Sequence, residues 1–301
     1  MDQPAGTGAT ALHPAERVDA ATLARAHGLT RGGARPTLPA YTAQLWARRH
    51  FVAALSGARL RTAYSDTRLG ALWQVITPLV NAAVYFLVFG VLVDTGRGIE
   101  NFVAYLCTGV FVFSFTQQAV QTGGRALADN VALVRAVRFP RASLPLAATL
   151  AQLQQYAVSL AVLAVIVLGT GEPVTRRWLA LLPIVLLQAV FSAGLALVVA
   201  RLAARTTDLV QLLPFLMRTW LYASGVFYSV AAVVERVPAA AGLLHANPML
   251  VYIDLTRQAL IASPGPAGPA HLWPLAVAWA VVVGGGGYVF FWHAEETYGS
   301  G

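Results

Sequence analysis

Lysine is absent from this 301-residue sequence, and cysteine occurs once, at Cys107. A phosphate loop of the G-x-x-x-x-G-K-[ST] type needs a lysine to reach the terminal phosphates, so no ATP site of that kind exists on this chain. One cysteine excludes an intrachain disulfide and any site built from several cysteines. Neither G-x-S-x-G nor H-E-x-x-H occurs, and the six histidines are scattered. We therefore expect no catalytic residue, no metal and no cofactor on this chain.

Charge is also scarce, at 11% of residues, while 57% are hydrophobic. A soluble domain carries about a quarter charged residues, so this composition indicates that lipid is the solvent. The net charge of +8 comes from arginines that lie between apolar runs. That placement is typical of a membrane orientation signal and argues against nucleic acid as a partner.

Several apolar segments meet the length of about 20 residues that a helix needs to cross a bilayer. We predict an all-α, polytopic membrane protein with six transmembrane helices: Leu72–Val93, Phe102–Gln121, Leu144–Leu168, Trp178–Leu202, Leu209–Ala231 and Leu272–Trp292. Fifteen arginines fall on one predicted side of these spans and five on the other, with Arg218 inside the fifth. The arginine-rich side should be cytoplasmic, which places both termini there.

Outside the spans the chain divides into segments of different character. We expect residues 1–38 to be a disordered cytoplasmic tail, 39–70 an interfacial amphipathic helix and lead-in, 71–295 the six-span domain, and 296–301 a C-terminal tail. The chain around this last boundary, His293-Ala-Glu295-Glu296, should be a solvated end. Tyr41–Ala63 carries Tyr41, Leu45, Val52 and Leu55 on one face, which favours a helix lying on the membrane. The loop 124–143 suits a short helix that contacts a cytosolic partner. The 232–271 connection should be external and re-entrant, with a helix that starts at Asn247-Pro248.

Arg218 is the one charge predicted inside a span, and no acidic residue lies in any span to neutralise it. An intramembrane charge is a functional hypothesis by default. It faces either internal partners, such as Gln117, Gln118, Gln121 or Gln152, or a wet path for an anionic substrate. The aromatic residues of the same segment are the best candidates to line a channel with it: Trp220, Tyr222, Phe227 and Tyr228.

Four stretches, taken in order, resemble one known family. They are Arg61-Thr-Ala-Tyr64 with Leu69-Gly70-Ala-Leu-Trp73 and Pro78-Leu79; Phe139-Pro140-Arg141 with Leu144-Pro145; Gly225-Val-Phe-Tyr228; and Asn247-Pro248 with Arg257. On a six-span layout this set is similar to type-2 ABC exporter permeases, in the branch that exports O-antigen, teichoic acid and actinobacterial galactan. Many relatives carry proline where Gly225 stands. The resemblance covers about residues 40–295.

The resemblance implies a homodimeric channel in a bacterial plasma membrane, with ATP and Mg²⁺ on a separate ABC ATPase subunit. Its substrate would be a lipid-linked glycan whose pyrophosphate enters near Arg59, Arg61 and Arg68. A coupling segment that docks on the ATPase would contain the following residues: Asp129, Arg135, Arg138, Phe139, Pro140 and Arg141.

Three other interpretations remain open at the level of sequence. A type-2 permease for a drug or small lipid has the same layout. A lipid-linked glycosyltransferase would need catalytic carboxylates, but Asp94, Glu100, Glu172, Glu235 and Asp254 form no recognisable pair. A non-catalytic scaffold is disfavoured by spans rich in glutamine and aromatic residues. The sequence does not specify the glycan, its lipid carrier or its length.

Overall fold

A computed structural model describes residues 36–65, 70–93, 99–137, 139–206, 208–262 and 272–296. Within these ranges every regular element is a helix, which confirms the predicted all-α class. The α-helices are α1 Leu38–Ala47, α2 Arg49–Ser65, α3 Trp73–Tyr85, α4 Phe102–Arg125, α5 Val131–Ala136, α6 Ser143–Gly169, α7 Leu181–Ala203, α8 Asp208–Ala223, α9 Val230–Arg236, α10 Ala241–His245, α11 Pro248–Leu260, α12 Leu272–Trp279 and α13 Gly286–His293. Arg68 and Arg138 and the segments 1–35, 94–98, 263–271 and 297–301 lie outside the described residues.

Five helical stretches of the described chain are long and apolar enough to cross a bilayer. They are the first span Trp73–Leu92, the second span Phe102–Arg125, the third span Ser143–Gly169, the fourth span Arg176–Ala203 and the last span Leu272–His293. The first and last include a π-helical turn, at Phe86–Leu92 and Ala280–Gly285. These stretches agree with five of the six predicted spans to within a few residues and establish a multi-pass membrane protein.

The remaining predicted span, Leu209–Ala231, is interrupted. Helix α8 ends at Ala223 after 16 residues, a length of about 24 Å against a hydrocarbon core of about 30 Å. The chain then turns at Gly225, whose φ of +63° is in the left-handed region that favours glycine. The prediction of one continuous helix to Ala231 is therefore wrong, and the described structure does not confirm a count of six.

The second span occupies the centre of the bundle and packs against the third and fourth spans, α8 and α11. Close approach depends on small residues. A Cβ on Gly123 would lie 2.7 Å from the Cβ of Ala196, and a Cβ on Gly194 would lie 2.1 Å from the carbonyl oxygen of Val283. Lipid is as apolar as a side-chain core, so close packing of small residues is a main source of helix association in membranes.

A buried polar network joins the second and fourth spans. The Gln188 amide donates hydrogen bonds to the Val112 carbonyl at 2.8 Å and to the Thr116 hydroxyl at 3.0 Å. Thr116 also bonds to Ser192 at 2.9 Å. Interhelical bonds of this kind hold helices together where no water competes for the polar groups.

The N-terminal helices α1 and α2 cover most of the predicted helix Tyr41–Ala63, with a break at Arg48. Tyr41 is buried, and Leu45, Val52 and Leu55 are half-buried, so the predicted apolar face is the one that packs inward. Helix α2 runs against the third span. The lead-in is thus fixed to the bundle through that face.

Candidate functional site: two joined cavities and their supports

We call the end of the bundle that carries Arg125, Arg141 and Arg201 the arginine-rich end. A cavity of about 530 Å³ opens there between α2, the second and third spans and the residues before α5. We name it the arginine cavity; its lining residues are Leu55, Ala58, Arg59, Leu60, Thr62, Thr122, Asp129, Asn130, Ala148, Ala151, Gln152 and Gln155.

The structure separates the three arginines that the resemblance groups together. Arg59 lines the arginine cavity and is half-buried, whereas Arg61 is exposed, and Arg68 is outside the described residues. Burial lowers the pKa of the Arg59 guanidinium, and the nearby Asp129 carboxylate opposes that shift. Arg59 is therefore the cation that an anionic group entering this cavity would meet.

A second cavity, of about 270 Å³, lies between the first, second and third spans. We name it the amide cavity; it is lined by Thr77, Pro78, Asn81, Phe111, Ser114, Phe115, Gln118, Gln152, Gln155, Tyr156 and Ser159. Gln152 and Gln155 line both cavities, so the two are adjacent. Gln152 stands nine residues into the third span, or about 13 Å from its start at Ser143. The two neighbouring cavities therefore succeed each other from the arginine-rich end toward the middle of the bundle.

The predicted coupling segment contains the short helix that its size and charge suggest, α5. Its residues face different surroundings. Asp129 lines the arginine cavity, and Arg135 is exposed. The Phe139 ring packs on Phe51 of α2 with the centroids 5.6 Å apart. Pro140 is buried, so a partner protein would meet mainly the exposed face of α5.

Arg141 belongs to an internal cluster that we call the C-terminal staple: Tyr41, Arg141, Ala142 and Glu295. The Tyr41 hydroxyl donates to Glu295 Oε2 at 2.8 Å, and the Arg141 backbone N–H donates to Glu295 Oε1 at 2.9 Å. The Ala142 N–H donates to the Tyr41 hydroxyl at 3.1 Å, and the Arg141 guanidinium donates to the Glu295 carbonyl. The prediction of a solvated tail is wrong at Glu295, because this residue joins α1 to the segment before the third span.

Burial has clear electrostatic consequences in this staple. It raises the pKa of the Glu295 carboxyl above its ordinary value, although the hydrogen bonds from Arg141 and Tyr41 act in the opposite direction. Burial, followed by the charge of Glu295, raises the pKa of the Tyr41 hydroxyl. Tyr41 therefore remains a hydrogen-bond donor at neutral pH.

The five channel-lining candidates also separate. Arg218 and Tyr222 are exposed on α8, and Arg218 is close enough to Tyr85 of the first span to interact electrostatically. Phe227 is 2% exposed and stacks on Phe89 with the centroids 4.2 Å apart, so its ring belongs to the core of this chain. Trp220 and Tyr228 are half-buried. Gln118 and Gln152 line the amide cavity and form no hydrogen bond with Arg218 in the described structure.

At the opposite end, Arg257 of α11 is 1% exposed. It donates to the carbonyls of Tyr105, Gly225 and Val226 at 3.1 to 3.3 Å and to Asp254 Oδ1 at 3.2 Å. Helix α11 starts where Asn247-Pro248 predicts, with the Asn247 side chain accepting from the Met249 N–H at 3.0 Å. Sequence reasoning named Arg257 only within a motif. The available signal was a single arginine three residues after Asp254 in a mostly apolar helix.

Comparisons with known proteins agree with this arrangement. The family model described as ABC-2 type transporter matches residues 51–261. An "O-antigen export system permease protein RfbA" of Myxococcus xanthus is 26% identical over 207 residues, which is 69% of this chain and 78% of the relative. A protein of the same name from Klebsiella pneumoniae is 21% identical over 178 residues, which is 59% of this chain and 68% of the relative. Since the family model covers more than half of the sequence, the chain belongs to the ABC-2 type transporter family.

Proposed function

We propose that this chain is the transmembrane subunit of an exporter that moves a lipid-linked polysaccharide across a bacterial plasma membrane. The relatives named as O-antigen export permeases support the substrate class. The sequence has no lysine and hence no phosphate loop of the G-K-[ST] type, so ATP hydrolysis belongs to a separate ABC ATPase. The excess of arginine makes the arginine-rich end cytoplasmic, with both termini on that side.

The single observation that carries the proposal is the position of Arg59. Its guanidinium lines a cavity of about 530 Å³ beside α2 and next to Asp129 of the coupling segment. An arginine fork matches the oxygens of a phosphate group, so it is suited to a lipid pyrophosphate arriving from the membrane surface. The same cavity is lined by Asp129 of the coupling segment, which would move with the ATPase subunit. Substrate binding would in this way be coupled to ATP hydrolysis.

Coupling would use the exposed surface of α5 and its flanks. Val131 and Val137 are 44% and 48% exposed on this segment, so they offer apolar contacts at a surface that faces water. The ATPase subunit would bind there and, on closing around ATP, push the ends of the second and third spans. The chain itself would perform no bond chemistry. Two copies of the permease would enclose a channel between them, with Arg218 and Tyr222 of α8 lining it.

Arg59 can be tested against a matched control in the same helix. We expect Arg59→Gln to abolish the stimulation of ATP hydrolysis by lipid-linked glycan extracted from the native host, in the complex reconstituted into proteoliposomes. Arg61→Gln removes the same charge from an exposed position and should retain the stimulation. Equal losses in the two variants would contradict a specific role for the arginine cavity.

The partner subunit can be tested by co-purification from gently solubilised membranes. Val131→Asp places a carboxylate in the first turn of α5, which that helix tolerates well, but it charges the apolar contact. We expect the ATPase subunit not to co-purify with this variant. Val237→Asp changes an exposed valine near the opposite end and should still co-purify with the ATPase subunit. The exporter proposal would be contradicted if the wild-type permease purified alone and without ATP hydrolysis in several detergents.

Arg218 has a separate test. We expect Arg218→Leu to reduce export of the glycan to the cell surface without reducing the amount of protein inserted in the membrane. Normal export by this variant would show that Arg218 does not line the channel.

A further inference from the structure

The amide cavity contains polar side chains that the described chain leaves without internal partners. The amides of Gln118, Gln152 and Gln155 form no side-chain hydrogen bond with any described residue. Tyr156 lines the same cavity, and its hydroxyl is buried without a partner in the described structure. Gln118 is exposed and Gln152 and Gln155 are half-buried, so among these groups the cost of about 1–3 kcal/mol for an unsatisfied buried group applies to the Tyr156 hydroxyl. Together the four side chains present hydrogen-bond donors and acceptors that suit a polar occupant.

The lining of this cavity is polar but carries no charged side chain among its residues, unlike the arginine cavity next to it. Amide and hydroxyl groups both donate and accept hydrogen bonds, which matches ligands whose hydroxyls do the same. Phe115 and Tyr156 stack on each other, with centroids 4.7 Å apart and the rings 4° from parallel, and form an apolar wall. A volume of about 270 Å³ is far above the ~30 Å³ that one water molecule takes in the liquid.

We propose that the amide cavity is a sugar subsite, in which Gln152, Gln155 and Tyr156 bind hydroxyls of the glycan unit next to the pyrophosphate. This inference rests on the proposed function, because the pyrophosphate on Arg59 fixes the orientation of the substrate. Gln152 and Gln155 line both cavities, so a group leaving the arginine cavity reaches their amides first. The charged pyrophosphate would thus lie in the arginine cavity, and the neutral sugar next to it would lie in the amide cavity.

The test uses two defined probes on the permease reconstituted with its ATPase: a polyprenyl diphosphate, and the same lipid carrying one N-acetylhexosamine. In the wild type the sugar-bearing probe should stimulate ATP hydrolysis at a concentration about thirtyfold lower, as expected for two hydrogen bonds of about 1 kcal/mol each. The double variant Gln152→Leu/Gln155→Leu should respond equally to both probes. Gln154→Leu makes the same change on an exposed face of the same span and should keep the difference.

A second measurement does not depend on transport. With Cys107, the one cysteine of the sequence, replaced by alanine, a Gln155→Cys variant should react with a water-soluble methanethiosulfonate. The sugar-bearing probe should slow this reaction several-fold more than the bare lipid. A thiol that never reacts would show a dry or covered cavity and overturn the subsite. An undiminished sugar preference in the double leucine variant would overturn it as well. If neither probe stimulates or protects the wild type, the lipid-linked glycan fails as the substrate class, and the subsite fails with it.

Discussion

The first and second spans are both transmembrane helices, yet they have opposite surroundings. The first, Trp73–Leu92, is the more hydrophobic of the two, but only 6% of its central stretch is buried within the chain. The second, Phe102–Arg125, is less hydrophobic and 78% buried. In a protein dissolved in water the order would be reversed, because burial there selects for apolar side chains.

The reason is that lipid solvates leucine and valine as well as a protein core does. The first span exposes Val84, Leu87 and Val91 without cost, so its surface is suited to lipid or to a second copy of the chain. The second span contains Thr116, which forms hydrogen bonds with Gln188 and Ser192 of the fourth span. It also contains Gly123, which allows close contact with Ala196. In this protein, small and polar residues therefore mark the structural centre better than hydrophobicity does.

The largest expected effect comes from removing the charge that ties the second span to α11. Arg257→Met leaves the carbonyls of Tyr105, Gly225 and Val226 without their donor, which should destabilise the fold by about 3 kcal/mol. Thermal unfolding in detergent would show a lower Tm. Arg236→Met, at an exposed arginine of α9, is the control and should leave Tm within a degree or two. A similar Tm for the two variants would mean that the hydrogen bonds of Arg257 contribute little to the stability of the fold.

An intermediate effect should separate the two spans directly. Ala119 of the second span is 0% exposed, and Ala83 of the first span is exposed. Ala119→Leu overpacks the centre and should cost about 1–3 kcal/mol, whereas Ala83→Leu should leave stability almost unchanged. Unfolding by heat and size-exclusion profiles would measure both. If Ala83→Leu keeps the fold but alters the oligomeric state, a second copy covers the first span; if it destabilises the chain as strongly as Ala119→Leu, the contrast between the spans is wrong.

The smallest effect is expected at Glu295, which lies away from the second span. Burial raises the pKa of this carboxyl in the folded protein, so the folded state binds the proton more readily than the unfolded chain does. Its contribution to stability is present at low pH and is lost as pH rises through the raised pKa. The Tm of wild type minus that of Glu295→Gln should therefore decrease from about pH 4 to neutrality. A difference that grows with pH would show that the bonds from Arg141 and Tyr41 outweigh burial.

The local elements were largely predictable from the sequence. The third span, expected at Leu144–Leu168, forms Ser143–Gly169, and α11 starts at the predicted Asn247-Pro248 signal. The break after Ala223 was not predictable from hydropathy, because Gly225 and Val226 are apolar and continue the run. Their turn is held by Arg257, more than 30 residues further along the chain.

The candidate site was also predictable only in part from the sequence. Arg59 was named from sequence and lines the arginine cavity, but its separation from Arg61 depends on how α2 lies against the third span. The glutamines of the third span carry no clear signal in the sequence, which suggests only Gln152 as a partner for Arg218. Their role as a common wall with Gln118 and Asn81 appears only once three spans are brought together.

The sequence by itself determined that this chain crosses a membrane as helices and has no phosphate loop for ATP, because span length and residue type are local properties. Backbone hydrogen bonds in lipid must be satisfied within each helix, so an apolar run of sufficient length fixes its own structure. Only the tertiary structure decided which polar groups are buried and what they meet. Glu295 and Tyr41 are 254 positions apart, and no local pattern encodes that their side chains lie 2.8 Å from each other.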